Sequence, residues 1–133
     1  MIYVLDACAM IAYLNAEPGG PVVDQLLRDQ THTCYAHAIN LCEVYYDFIR
    51  RANEAIAEQA IADLVAVGVT ERANLDPALW RDAGKLKAGR RLSLADAFGV
   101  VLAQRLGAEF VTSDHHEFDA LASASICPIL FIR

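Results

Sequence analysis

The sequence predicts an α/β fold: one three-layer domain in which a short parallel sheet is flanked by helices. Three observations lead there. Short apolar runs such as Ile2–Leu5 alternate with segments of helical periodicity. These runs lack the polar alternation of a half-solvated strand and suit burial on both faces. At 133 residues the chain has the length of one domain, and no linker, repeat or low-complexity tract divides it.

Taken in order, Ile2–Leu5 is the first strand, and a helix over about Ala7–Leu14 follows it. Pro18-Gly19-Gly20-Pro21 makes a turn. The next helix, Pro21 to Arg28, begins with proline in the first turn, where its missing N–H costs nothing. Thr33–Ala36 is a second strand. A longer helix over about Ala38–Arg51 carries the stripe Leu41, Cys42, Tyr45, Phe48, Ile49 and Ala52, spaced by three and four. Asn53 reads as the N-cap of a helix over Ala55–Val67, with Ile56, Ala60, Leu64 and Val67 on one side. Asp76-Pro77 opens another, through about Lys87. Ser93 starts a helix that runs to Leu106 and stops at Gly107. A strand at Glu109–Thr112, a short helix near Glu117–Ala122 and a strand at Ile129–Ile132 complete the chain.

Composition narrows the class. At 56% hydrophobic the chain is too apolar to be disordered. No apolar run approaches the roughly 18 residues of a membrane span, so no membrane association is expected. Asp6 interrupts the first apolar run and no basic stretch precedes it, unlike a secretory signal. The four cysteines, Cys8, Cys34, Cys42 and Cys127, have no metal-binding spacing and lie among apolar neighbours. They are expected to be reduced core thiols, in a cytoplasmic protein. The net charge of −6 argues against an ordinary basic nucleic-acid module.

In parallel α/β sheets ligands collect beyond the carboxyl ends of the strands. Asp6 stands immediately after the first strand, and Asp114 two residues after the strand ending at Thr112. Asp96 lies in the first turn of the Ser93 helix. Glu43 shares a helical face with Asn40, Asp47 and Arg50, where an Asp47–Arg50 pair could form. Singly, each acid has a structural reading: Asp6 as an N-cap, Ser93–Asp96 and Asp114–Glu117 as capping boxes, Glu43 as a solvated residue. Gathered in one cleft they would repel one another unless a cation neutralised them. Mg²⁺ or Mn²⁺ suits such hard oxygen ligands. A site of that kind acts on phosphate esters without a His, Cys or Ser nucleophile. No P-loop, G-x-G-x-x-G or G-x-S-x-G motif is present.

The segments LDACAMIAYL, INLCEVYYD, LSLADAFGVVLA and FVTSDHHEFD, in this order, resemble the PIN domain, and more narrowly the VapC-type toxins of bacterial type II toxin–antitoxin pairs. The resemblance covers essentially the whole chain. It implies a metal-dependent endoribonuclease with Asp6, Glu43, Asp96 and Asp114 on the four acidic positions. Asp6 and Asp96 would be the principal Mg²⁺/Mn²⁺ ligands, assisted by Asp114. Glu43 would hold or activate a water, and Thr112 or Ser113 would supply a supporting hydroxyl. It also implies RNA as substrate, a cognate antitoxin and a homodimer; Tyr45 and Tyr46 would serve either in those contacts or in the core. Cys8 departs from the family, which often has a small polar residue there. His115, His116 and Asp119 have no family role.

The charge is unevenly distributed. Five of the eleven Lys and Arg residues (Arg81, Lys85, Lys87, Arg90 and Arg91) and one acid lie between 81 and 91, a local +4 that leaves −10 on the rest. This segment precedes the Asp96 turn and is expected to line an RNA path. A receiver-type phosphoacceptor would need a lysine beyond a late strand, and none follows. A haloacid-dehalogenase-type phosphatase would need an acid where Cys8 stands. The remaining alternative is a PIN-like RNA-binding or protein-interaction module that has lost activity.

Overall fold

Twelve elements make up the computed structural model, which describes residues 1–133. They are β1 (Ile2–Leu5), α1 (Ala7–Leu14), α2 (Gly20–Arg28), β2 (Thr33–His37), α3 (Ala38–Arg51), α4 (Glu54–Ala66), β3 (Val69–Arg72), α5 (Pro77–Gly89), α6 (Leu94–Leu106), β4 (Glu109–Thr112), α7 (His115–Ser123) and β5 (Ile129–Phe131). The strands form one five-stranded sheet in the order β3-β2-β1-β4-β5. Every pairing is parallel. The chain winds outward from β1 in one direction through β2 and β3, then crosses back to β4 and β5. The switch point therefore lies between β1 and β4, where sheets of this kind open a crevice at their carboxyl ends.

Strand alternation distributes the core. On β1, Tyr3 and Leu5 point to one face, where they join Val111 of β4 and residues of α1, α2, α3 and α4. Val4 and Phe110 point to the other, against Val100, Leu102 and Ala103 of α6 and Phe118 and Leu121 of α7. Phe110 and Phe118 pack with centroids 5.0 Å apart. α5 lies outside this face and packs Leu79 and Ala83 on Ala97, Phe98 and Val101 of α6. Because α6 is sandwiched, eight of its residues, from Ala95 to Ala103, are buried. The α/β three-layer expectation holds. No helix is long and apolar enough to cross a membrane.

The caps fall where the sequence places them. Asp6, Asn53, Asp76, Ser93 and Asp114 each accept a hydrogen bond from a main-chain N–H in the first turn of the following helix. Gly107 ends α6 in the left-handed region (φ 64°), which an L side chain would strain.

Five expectations need correction. β3 was not anticipated: Val-Thr-Glu-Arg has no apolar run, and only Val69 of this edge strand is buried. On α3 the buried residues are Asn40, Leu41 and Val44, whereas Cys42 and Ile49 are exposed. On α4 they are Ala57, Ala60 and Leu64; Ile56 and Val67 face outward. In both helices the expected stripe followed the largest apolar side chains. Close packing of the helix pair instead selects a neighbouring face containing small residues. Only Cys34 and Cys127 are core thiols, since Cys8 and Cys42 are exposed. Asp47 pairs with Arg51, one turn on, at 3.1 Å, while Arg50 lies over the Tyr46 ring.

Candidate active site

The acids converge because of the switch point. Asp6 ends β1, and its main-chain N–H bonds the carbonyl of Val111 on β4 at 3.0 Å. That bond holds the two strand ends, and so Asp6 and the Asp114 loop, side by side. Asp6 is 1% exposed. One of its oxygens accepts from the Ala9 N–H at 2.8 Å, closing the α1 cap. The Thr112 hydroxyl lies near the same carboxylate and favours its charged form. Thr112 Oγ1 accepts the Asp114 N–H at 3.0 Å. This buried threonine thus sits between two of the acids.

Asp96 enters from α6. The Ser93 hydroxyl accepts the Asp96 N–H at 3.1 Å and fixes that turn. Asp114 caps α7 by accepting from the Glu117 N–H at 3.3 Å. This cap turns the Glu117 side chain back toward the strand ends, and carboxylate oxygens of Asp96, Asp114 and Glu117 all lie within 4.8 Å of one another. Glu117 is the acid that the sequence argument left out. The spacing Asp114-x-x-Glu117 contained the signal, but it was explained fully by a capping box.

Glu43 stands half-buried on α3. Its helix is held against α6 by Asn40, which is fully buried and donates from Nδ2 to the Ala95 carbonyl at 3.2 Å. Gly99 makes this approach possible. A Cβ there would sit 3.0 Å from Asn40 Nδ2 and 2.6 Å from Phe110 Cε2. His37 supports the same helix: its Nδ1 accepts the Ile39 N–H at 3.1 Å, and its Nε2 lies 2.9 Å from the Asn74 carbonyl, to which it donates.

Electrostatics mark the cluster as crowded. Burial first, then the fields of Glu43 and Asp114, push the Asp6 carboxyl up to about 7, against the Thr112 and Ala9 hydrogen bonds. Burial, then Asp6, Glu43 and Glu117, push Asp96 up to about 8, against the Ser93 bond. Glu43 is raised by burial and by Glu117, with the Tyr46 hydroxyl opposing. Cys8 reaches solvent at the rim, yet crowding by protein atoms and then Asp6, Asp96, Asp114 and Glu43 push its thiol up to about 12. It is a neutral thiol there and no nucleophile. Like-charged oxygens in such a setting need a compensating cation to ionise together near neutral pH. The donor set is all carboxylate, which fits a hard divalent ion.

The basic segment divides. Arg81 lies over Trp80 at 4.8 Å, and Lys87 Nζ donates to the Leu92 carbonyl at 2.8 Å. Lys85 is exposed. Arg90 and Arg91 line a cleft with His116 and Glu117, next to the acids. His115 is exposed and belongs to α7. It stacks on Phe131 with centroids 4.0 Å apart, and its ring nitrogens lie 2.8 Å from Asp119 Oδ1 and 2.7 Å from the Arg133 main-chain oxygen. Both partners accept only, so the ring donates from both nitrogens as an imidazolium, and its pKa is raised, chiefly by Asp119.

A family model described as the PIN domain matches residues 3–124. No curated protein matches the sequence significantly. Among solved structures, the chain is similar to VapBC2 from Rickettsia felis bound to a promoter DNA fragment, with TM-score 0.74, 15% identity and 98% of each chain covered. It is also similar to VapBC-1 from nontypeable Haemophilus influenzae, with TM-score 0.71, 22% identity, and 99% of this chain and 98% of that one covered. A third is VapC20 from Mycobacterium tuberculosis, a sarcin–ricin-loop-cleaving toxin, with TM-score 0.70, 19% identity, and 91% of this chain and 95% of that one covered.

Proposed function

The chain belongs to the PIN-domain family, and from that premise we propose that it is a divalent-metal-dependent endoribonuclease, the toxin of a toxin–antitoxin pair. The observation that carries the reading is the carboxylate cluster at the β1/β4 switch point, which contains no competing nucleophile. Asp96, Asp114 and Glu117 would hold Mg²⁺ or Mn²⁺, with Asp6 completing the negative floor. When bound, the cation supplies Lewis-acid polarisation of a phosphate oxygen and acidifies a neighbouring water. Glu43, whose pKa is raised by burial and by Glu117, would accept the proton of the attacking water. The Ala9 N–H holds Asp6 in place while this happens, and the nearby Thr112 hydroxyl favours its charged form. Hydrolysis in this family's manner breaks the P–O3′ bond and leaves a 5′-phosphate and a 3′-hydroxyl.

Partners follow from the same premise. The Rickettsia felis and Haemophilus influenzae neighbours are VapBC complexes, which supports a cognate antitoxin for this chain. Exposed Tyr46 and Ile49 on the Glu43 helix, and Leu75, Trp80 and Leu94 near α5 and α6, are apolar surfaces that an antitoxin and a homodimer partner would cover. Tyr45, by contrast, is engaged within the chain, donating to Glu58 at 2.8 Å.

Calorimetric titration with Mn²⁺ tests the centre without reference to RNA. The expected result is saturable binding that Asp96→Asn abolishes with the fold intact by circular dichroism. A wild-type chain with no divalent site would instead be an inactive PIN-like module.

A further inference from the structure

Of the eleven Lys and Arg residues, eight are engaged within the chain. Arg28, Arg51, Arg105 and Arg133 pair with acids. Arg50, Arg72 and Arg81 lie over aromatic rings, and Lys87 donates to a carbonyl. Only Lys85, Arg90 and Arg91 have no partner. Two of these three unpaired cations, Arg90 and Arg91, share one concavity, a cleft of about 230 Å³ between the end of α5 and the first turns of α7. His116 and Glu117 form its far wall, with Gly89, Ala120 and Leu121 completing the lining.

We propose that this cleft is a phosphate subsite: it holds, through Arg90, Arg91 and His116, one phosphodiester of the RNA strand next to the one being cut. The inference rests on the ribonuclease reading and deepens it. Glu117 fixes the location, because it lines the cleft and also presents an oxygen within 4.8 Å of Asp96 and Asp114. A strand whose scissile phosphate lies on the acids therefore runs directly into the cleft. The cleft is smaller than the roughly 300–1,000 Å³ of small-molecule sites, a size that suits a phosphate and adjoining sugar atoms. Guanidinium forks suit phosphate oxygens, and the His116 ring adds an N–H donor. The subsite reads backbone charge and not base identity.

The experiment uses the full chain and a fluorescent single-stranded RNA, with single phosphates replaced in turn by neutral methylphosphonates. Binding is read by anisotropy with Mn²⁺ present, on a strand whose scissile P–O3′ link is replaced by a non-hydrolysable P–CH2 link, so the strand stays whole. In the wild type, one substitution adjacent to the cut site weakens binding about tenfold. In the Arg90→Ala/Arg91→Ala double variant that substitution costs nothing further. The slope of log affinity against log salt falls by about 0.7 per arginine removed. His116→Phe keeps the ring, removes the donor and weakens binding with no change of slope. Arg28→Ala, at the end of α2 that leads into the amino end of β2, removes one charge and leaves the phosphate profile intact. A flat wild-type profile, or the same sensitive position in the double variant, overturns the subsite. A chain that cuts RNA with Mn²⁺ yet shows a flat profile overturns the subsite alone. A chain that neither binds nor cuts RNA overturns the ribonuclease reading with it.

Discussion

Asp6 has a structural role as an N-cap and, in the proposed mechanism, a chemical one. As an N-cap it contributes about 1 kcal/mol, and most of that needs only an acceptor oxygen. Its charge, by contrast, is a cost to the fold. The folded carboxyl binds its proton up to about pH 7, the unfolded one only to about 3.8. Between those values the native state holds a proton that the unfolded state has released, so stability falls as pH rises. Asp96, raised to about 8, extends the same loss. The metal-free protein should therefore melt at a lower temperature at pH 8 than at pH 5.5. Asp6→Asn keeps the cap and removes the charge, so it should flatten this slope and raise the pH 8 melting temperature without metal. Mn²⁺ in excess should raise the wild-type value at pH 8, by roughly 2.7 kcal/mol of stability at 100 times its dissociation constant. Scanning calorimetry with and without Mn²⁺ at both pH values reads all of these effects. Thr112→Val removes the hydroxyl shared by Asp6 and the Asp114 loop, and should weaken Mn²⁺ binding about 10–100-fold with little change in the fold.

At the scale of elements, the site depends on how closely α3 approaches α6. The Asn40–Ala95 hydrogen bond and the bare Cα of Gly99 set that distance, and with it the position of Glu43 relative to Asp96. Gly99→Ala drives a methyl into Phe110 and Asn40. It should destabilise the fold by about 1–3 kcal/mol in a urea titration and lower kcat more than KM, because it displaces the acids proposed to be catalytic and not the arginines proposed to hold RNA. Most elements were legible because their caps and periods agree: Ser93 and Gly107 bracket α6, and Asp76-Pro77 opens α5. β3 was not, since an edge strand needs no apolar run and Val69 alone carried the pattern. The buried faces of α3 and α4 depend on which helix packs against which, so side-chain size alone pointed to the wrong stripes. Four of the site acids were readable from strand ends and helix starts. Glu117 was not, because a cap partner and a site carboxylate have the same local spacing, and only the sheet order brings it beside Asp96.

At the scale of the whole molecule, the net charge of −6 is the sum of two unlike regions. Acids gather at the switch point, while two of the three unpaired cations, Arg90 and Arg91, lie at the end of α5, beside the mouth of the same site. This division reconciles an acidic chain with a polyanionic substrate: the centre would be neutralised by a cation, and the strand would be held by arginines at its edge. The direct test is cleavage of an end-labelled single-stranded RNA by the purified chain with Mg²⁺ or Mn²⁺, with EDTA, and by Asp96→Asn with metal. Metal should give internal cuts bearing 5′-phosphates, and both EDTA and the substitution should reduce the rate at least about 100-fold. Cleavage at the full rate in EDTA, or by Asp96→Asn, would contradict a carboxylate-held metal as the source of activity.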